Sequence, residues 1–448
     1  MTDTRICFIG GGSYNWMPKL LGDLALTADL AGTVVLHDIN PAALDDIERY
    51  GRRVFQKTGS HFSIETTTDL DRALEGAQFV VVTITTGGLD TMALDLDIPE
   101  RYGIFQSVGD TVGPGGLSRA LRNVPVMVGI AQAMERRCPD AWMLNLTNPL
   151  TVLTRVVTMT TRIKAMGLCH ELFGVRGALT RQFGASVDDF EMKVAGVNHL
   201  IWILNMTIRG RDGLRMVHEM AADGRTPPLP PGRGDWHEPF VDRWKLKLKL
   251  FELYGALPAA GDRHLAEFFP YFLLEETGQG ADYGVQLTRI AHRRQQLATA
   301  RSAVHAAIAA PELPSVTRSS EATADIVSAV VNGRSVRTIV NLPNTGQIDN
   351  LPRGAVVETL AEITSAGAQP LVVGELPLGV LSTLEPHVVN QEMIVRAALE
   401  GDRQLALQAM ANDPLVHDMA KAEAMLDDLL AAHAEYLPQF RKRVAVAA

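Results

Sequence analysis

Cysteine is scarce in this chain of 448 residues: Cys7, Cys138 and Cys169 are too few and too scattered for a disulfide framework. That fits a reducing compartment and leaves any of the three a free thiol. Basic residues are outnumbered, 42 Lys and Arg against 51 Asp and Glu, for a formal charge of −9. The deficit argues against a general nucleic-acid binder, because neutralising phosphates takes a surplus of clustered cations. No stretch approaches the roughly 20 uninterrupted apolar residues of a membrane span, and the opening MTDTRICFIGGG lacks the basic and then apolar segments of a secretory signal. A cytoplasmic protein with neither nucleic acid nor membrane as partner is expected. What is present is an ordinary globular composition, 46% hydrophobic and 21% charged, on a chain long enough for two or three domains with a substantial core.

Short β-rich apolar runs alternate with helical periodicity through the first half. RICFIG at 5–10 ends in Gly10, Gly11 and Gly12 and leads into a helical pattern; TVVLH at 33–37 ends at Asp38; FVVVTIT at 79–85 ends in Thr86, Gly87 and Gly88. A helix is predicted over 41–57 after an Asn40 cap, another over 117–137, and further strands over 142–146 and 165–169. Near-continuous apolar strands separated by helices imply a parallel sheet covered on both faces, a doubly wound α/β domain of Rossmann-like type over residues 1–190. From about residue 190 the pattern changes. Strands at 193–197 and 201–208 flank Asn198-His199, a Pro-rich loop follows at 226–231, then helices from 240 to 254 and beyond. Residues 191–448 read as a mixed α+β domain for catalysis, substrate and oligomerisation, with a helical end at 413–439.

Ligands of open α/β sheets collect at the carboxyl ends of the strands, so the polar turns there are the candidate sites. Gly10, Gly12 and Ser13 after a strand, with Asp38 ending the next, suit a pyrophosphate at a helix N-terminus and a carboxylate on a ribose hydroxyl. The fingerprint is incomplete, since Asn15 and Trp16 stand where a third glycine is expected. Asp38 would repel a 2′-phosphate, favouring NAD over NADP. Asn145 and Asn148-Pro149 offer amides at a strand end, although Asn-Pro is equally a turn initiator. Cys169-His170-Glu171 and Asn198-His199 supply a thiol and imidazoles suited to a divalent metal, against the plainer reading of a small core cysteine and a satisfied histidine. Asp262, Arg263, His264 and Glu267 form a dense ionisable cluster that reads as catalytic or as an ion-pair network. GDTVGPGG at 109–116, with Asp110, reads as a lid, a phosphate cradle or a flexible connector.

Together these segments resemble glycoside hydrolase family 4, the NAD- and metal-dependent glycosidases: IGGGS at 9–13, VGDTVGPGG at 108–116, RALRNVP at 119–125, NLTNP at 145–149, CHE at 169–171, GVNH at 196–199, GDRHLAEF at 261–268 and NLPNTGQIDNLP at 341–352. The resemblance implies a redox elimination: NAD takes hydride from the sugar C3, a base removes the acidified C2 proton, the glycosidic bond breaks, water adds and the hydride returns. NAD-dependent glycosidases are an exception to the usual two-carboxylate mechanism. By motif match Cys169 and His199 correspond to metal ligands for Mn²⁺ or a similar ion. Gly10, Gly12, Ser13, Asp38 and Asn145 fall at the cofactor, Asn148, Asp110 and Arg263 at the sugar. His170 matches the acid for the leaving group. Many members use a tyrosine base; none stands in GDRHLAEF, leaving Asp262, favoured here, His264, or Tyr271 reaching in.

Phosphoglycosidase members carry an arginine where this chain has Met92, and a thioether cannot pair with phosphate. The CHE and GDRHLAEF segments resemble the α-galacturonidase members, whose sugar carries a C6 carboxylate; a sulfonate, as in sulfoquinovose, would need similar electrostatics. The resemblance thus implies a non-phosphorylated, C6-anionic sugar as the small-molecule partner of a homodimer or homotetramer. The competing readings are a net NAD-dependent sugar dehydrogenase and a non-catalytic NAD-binding regulator.

Overall fold

Successive residues of a strand point to opposite faces, and here both faces are covered. Cys7, Ile9, Val35, Val80, Val82, Met143 and Ala165 enter one hydrophobic core, and Ile6, Phe8, Val34, Leu36, Phe79, Val81, Leu144 and Met166 another on the opposite side. This is why the apolar runs are continuous rather than alternating. The computed structural model describes residues 3–229 and 241–441; the sequence expectations for 230–240, including the end of the Pro-rich loop, lie outside them.

The strands are β1 (Asp3–Ile9), β2 (Ala31–His37), β3 (His61–Thr67), β4 (Phe79–Val82), β5 (Trp142–Asn145), β6 (Lys164–Gly167), β7 (Phe190–Val197), β8 (Leu200–Ile208), β9 (Arg211–Asp212), β10 (Leu257–Pro258), β11 (Val336–Pro343), β12 (Val356–Thr364) and β13 (Gly367–Pro370). The first six are parallel in the order β3-β2-β1-β4-β5-β6, the doubly wound dinucleotide-binding topology, whose ligand crevice lies where the order reverses, between β1 and β4. The same sheet then continues antiparallel through β11, β12, β7, β8 and β10. No helix among the described residues is long and apolar enough to cross a membrane.

Several local expectations hold. The Asn40 side chain accepts from the Ala42 and Ala43 amides and starts the helix Pro41–Thr58, with Gly59 left-handed at its end. β7 and β8 form the antiparallel hairpin around Asn198-His199. The helical end packs on the body: His433, just past the helix Met419–Ala432, reaches Asp95 on the helix Gly88–Arg101.

Two details differ. The edge strand β3, HFSIETT, has no continuous apolar run; only Phe62 and Ile64 are buried. The second half of the glycine-rich stretch expected as a lid, cradle or connector, 113–116, is the first turn of the helix Gly113–Arg137, while 109–112 stay irregular. Pro114 fits there because first-turn amides have no intrahelical partner. The glycines are packing requirements: a Cβ on Gly116 would lie 2.5 Å from the Thr111 carbonyl carbon, and one on Gly115 2.9 Å from the Asp95 oxygen.

Candidate active site

The turn after β1 closes tightly on its neighbours. Gly10 and Gly11 donate to the His37 oxygen at the end of β2, and the Gly12 amide donates to Asp38 Oδ2 at 2.9 Å. Gly10 has φ +92°, and a Cβ on it would sit 2.0 Å from the Thr83 oxygen beyond β4, so only glycine passes here. Ser13 follows the glycines and precedes the helix Met17–Ala25. Asp38 is half-buried at the mouth of this turn, its other oxygen accepting from the Asn40 amide. Asn145 points elsewhere: it is wholly buried, its amide spent on the Thr147 backbone and the Thr154 hydroxyl. Asn148 is half-buried at the end of β5, its carbonyl accepting from Arg119 and Asn123.

A second set of groups converges from three remote segments. His199 occupies the tight turn between β7 and β8 with φ +67°, a conformation that costs a non-glycine residue roughly 1–3 kcal/mol and turns its ring towards the loop 107–111. There the Thr111 hydroxyl donates to Asp110 Oδ1 at 2.8 Å and lies 2.8 Å from His199 Nδ1. A hydroxyl has one proton and carboxylates only accept, so His199 Nδ1 must carry the hydrogen in this bond, leaving Nε2 with its lone pair. His264, on the short helix Asp262–Ala266, stacks on His199 with ring centroids 3.7 Å apart. Donor atoms of Asp110, His199 and His264 lie within 4.8 Å of one another, compact enough for one cation.

Burial holds both imidazoles neutral. It lowers His264 to about 3, and with His264 beside it lowers His199 to about 3 as well. Burial would raise the Asp110 carboxyl, but His264, Arg119, His199 and Arg293 outweigh it and hold it near 2. Neutral imidazoles with an ionised carboxylate are the protonation states a divalent metal needs.

Of the two metal ligands the resemblance implied, His199 is in this triple and Cys169 is not. Burial, then Glu358 and Glu171, push the Cys169 thiol well above its usual range. Asp110, expected at the sugar, and His264, expected in catalysis, are the residues whose donor atoms lie close to those of His199. His170 follows Cys169, with Nδ1 3.2 Å from Glu321 Oε1. Burial opposes its charge, but Glu321 and Glu171 outweigh burial and raise its pKa. Glu171 is paired: it accepts from the Gly261 amide at 2.6 Å and lies within 4 Å of His170 and His264.

Asp262 is the residue favoured as the base. It is 1% exposed, accepts the Leu246 and Lys247 amides at the start of the helix Lys245–Tyr254, and faces the buried Lys247 ammonium at 3.6 Å. Tyr271 is half exposed, its ring packed on Phe269 and Phe272. Arg263 binds the Ser107 oxygen and Thr288; burial lowers it to about 10, still a cation at neutral pH. Trp16, just past the glycine turn, lies with its ring 6.4 Å from that of His170. Sequence reasoning did not single out Thr111, Glu321 or Glu358. Thr111 lay inside a quoted motif, whereas Glu321 and Glu358 carry no local signal.

Residues 5–184 match the family 4 glycosyl hydrolases, and residues 194–416 match the C-terminal domain of that family. The chain belongs to glycosyl hydrolase family 4. An α-galacturonidase of Bacillus subtilis (strain 168) is 38% identical to this family 4 glycosidase, covering 95% of this chain and 96% of that one. A second α-galacturonidase, from Lachnoclostridium phytofermentans, is 35% identical over 98% of each chain. The fold matches that of a 6-phospho-α-glucosidase from gut microorganisms, solved with NAD and Mn²⁺, at TM-score 0.86 and 22% identity, covering 98% of this chain and 100% of that one. The glycine turn and the His199 cluster are therefore features of a glycosidase rather than of a plain dehydrogenase.

Proposed function

We propose that this family 4 glycosidase hydrolyses α-galacturonides with NAD and a divalent cation such as Mn²⁺. The observation that carries the reading is the donor triple Asp110, His199 and His264, in a chain whose glycine turn and Asp38 stand at the ends of neighbouring strands. The residues fit both groups. At the turn, Gly10 could not carry a Cβ, and Asp38 stands at the end of β2 where a ribose would be met. In the triple, His264 Nδ1 is buried with no hydrogen-bond partner, a cost that a ligand would remove. When bound, NAD supplies a reversible hydride acceptor for the sugar C3 and the cation a Lewis acid for the neighbouring oxygens.

The chain's own groups do the rest. Thr111 fixes the His199 tautomer, and Glu321 holds His170, whose raised pKa suits a proton donor to the leaving oxygen. Arg263 supplies positive charge for a C6 carboxylate, while Met92 is buried and apolar. A charged hydrogen bond of that kind contributes roughly 1.5–3 kcal/mol, about one to two orders of magnitude in selectivity. The identity of the relatives as α-galacturonidases supports the same substrate.

Release of nitrophenol from a galacturonide, a sulfoquinovoside, a galactoside and a 6-phosphoglucoside, with and without NAD and Mn²⁺, tests the assignment. The galacturonide should be turned over best, only with both additions, and without stoichiometric NADH. Preference for any other sugar overturns the substrate; one NADH per substrate consumed would mark a dehydrogenase.

A further inference from the structure

The loop 107–111 belongs to no helix or strand, yet it delivers both Asp110 and the Thr111 hydroxyl that orients His199. Something outside the loop must hold it. One buried acid nearby has no part in the glycosidase chemistry as read above. It is Glu267, 0% exposed at the end of the helix Asp262–Ala266.

We propose that Glu267 is a positioning residue of the active site, its carboxyl group fixing the loop 107–111 so that Asp110 and Thr111 meet His199. Glu267 Oε1 accepts from the Val108 amide at 2.7 Å and the Gly109 amide at 2.8 Å, the two backbone groups immediately before Asp110. The neighbouring residue is stitched to the same helix: Ser107 Oγ donates to the Arg263 oxygen at 2.5 Å, and Arg263 Nη2 donates to the Ser107 oxygen at 2.9 Å. Gly109 has φ +73°, a left-handed conformation that favours glycine, and a Cβ on it would lie 2.4 Å from Leu96 Cδ2. His264 lies three residues before Glu267, one turn away, and stacks on His199. A single short helix thus carries one member of the donor triple directly and holds a second by its backbone, which sets the distance between them. Burying a carboxyl is costly unless its oxygens are satisfied; Oε1 meets the two amides, Oε2 has no hydrogen-bond partner, and burial raises Glu267 to about 8, which leaves it a neutral acid at pH 7. An apolar side chain would fill the space without that cost but would leave two amides unpaired.

The inference rests on the reading that a cation binds at His199, so Mn²⁺ affinity is measured directly on the full-length enzyme, by the free-ion electron paramagnetic resonance signal, for wild type and His199→Ala first. Glu267→Gln, Glu267→Asp and Glu267→Ala follow, with kcat, KM and melting temperature for each. The glutamine oxygen can accept the same two bonds, so Glu267→Gln should stay within about threefold of wild type. Aspartate is one methylene short and should lose about 10–100-fold in Mn²⁺ affinity, the range for groups that orient metal ligands, with kcat falling more than KM rises. Should Glu267→Ala not fold, the contrast between Gln and Asp still decides. Wild-type Mn²⁺ affinity in Glu267→Asp, with only the melting temperature lowered, would show a mere fold staple and overturn the inference. Glu267→Gln as weak as Glu267→Asp would also overturn it, because charge rather than acceptor position would then matter. Wild-type protein without His199-dependent binding sinks the cation reading and this inference together; His199-dependent binding untouched by Glu267→Asp sinks the inference alone.

Discussion

One proton on Thr111 carries much of the site's logic. Because the hydroxyl donates to Asp110, His199 must donate from Nδ1, and its Nε2 keeps the lone pair that the proposed cation would need. Valine has nearly the shape of threonine but neither accepts nor donates. Thr111→Val should therefore weaken Mn²⁺ binding by about 10–100-fold, the range for groups that orient metal ligands, whereas Thr111→Ser should keep it. Titrating Mn²⁺ into both variants checks this; an affinity in Thr111→Val equal to wild type would show that His199 is oriented by something else.

The helix Gly113–Arg137 performs two jobs on one face. Arg119 reaches the strand-end turns, donating to the Asn148 oxygen at 2.9 Å and to Thr85 Oγ1 at 3.1 Å. One turn on, Arg122 makes two bonds of 2.7 and 2.6 Å to Asp95, with His433 3.1 Å from the same carboxylate. This group, at most 1% exposed, joins the helices Gly88–Arg101 and Gly113–Arg137 to the C-terminal region. Stripping one partner from a buried ion pair strands the other charge at a cost of about 3–5 kcal/mol, while exposed pairs contribute about 0–1 kcal/mol. Arg122→Ala should accordingly lower the melting temperature by many degrees. Arg294→Ala, which breaks the exposed pair with Asp90, should scarcely move it. Equal shifts in the two variants would contradict this account of the helix.

At the scale of the whole molecule, stability should depend on pH through buried groups of opposite behaviour. Burial lowers His387 to about 4 from the ordinary 6.5. Its contribution is complete above pH 6.5 and is lost as pH falls through 4. Burial raises Glu358 to about 8 from 4.5, Glu171 adding to the effect and Asn341 opposing it. Its contribution is complete below pH 4.5 and is lost as pH rises through 8. Melting curves from pH 4 to 9 should show wild type losing ground to His387→Gln on the acid side and to Glu358→Gln on the alkaline side. Curves that run parallel throughout would refute both assignments.

The sequence by itself determined the alternation of apolar strands and helices, the glycine turn before a helix, the Asn40 cap, the hairpin around Asn198-His199 and the segments that resemble family 4. Each depends on interactions within a few residues, such as side-chain periodicity, a capping amide or a turn that admits only glycine, and these are written locally. Tertiary structure decided what the functional groups do. Asp110, His199 and His264 are separated by 89 and then 65 residues in the chain, and only their packing reveals that their donor atoms gather in one place while Cys169 stands outside the triple. Packing likewise turned Asn145 inward and gave Asp262 to the start of the helix Lys245–Tyr254, although both carry side chains suited to the chemistry expected of them. It also hid the role of Glu267, whose partners are backbone amides that any residue could supply. A carboxylate or amide serves a cofactor, a sugar or a helix end equally well, and which of these it meets is set by long-range packing that no local pattern encodes.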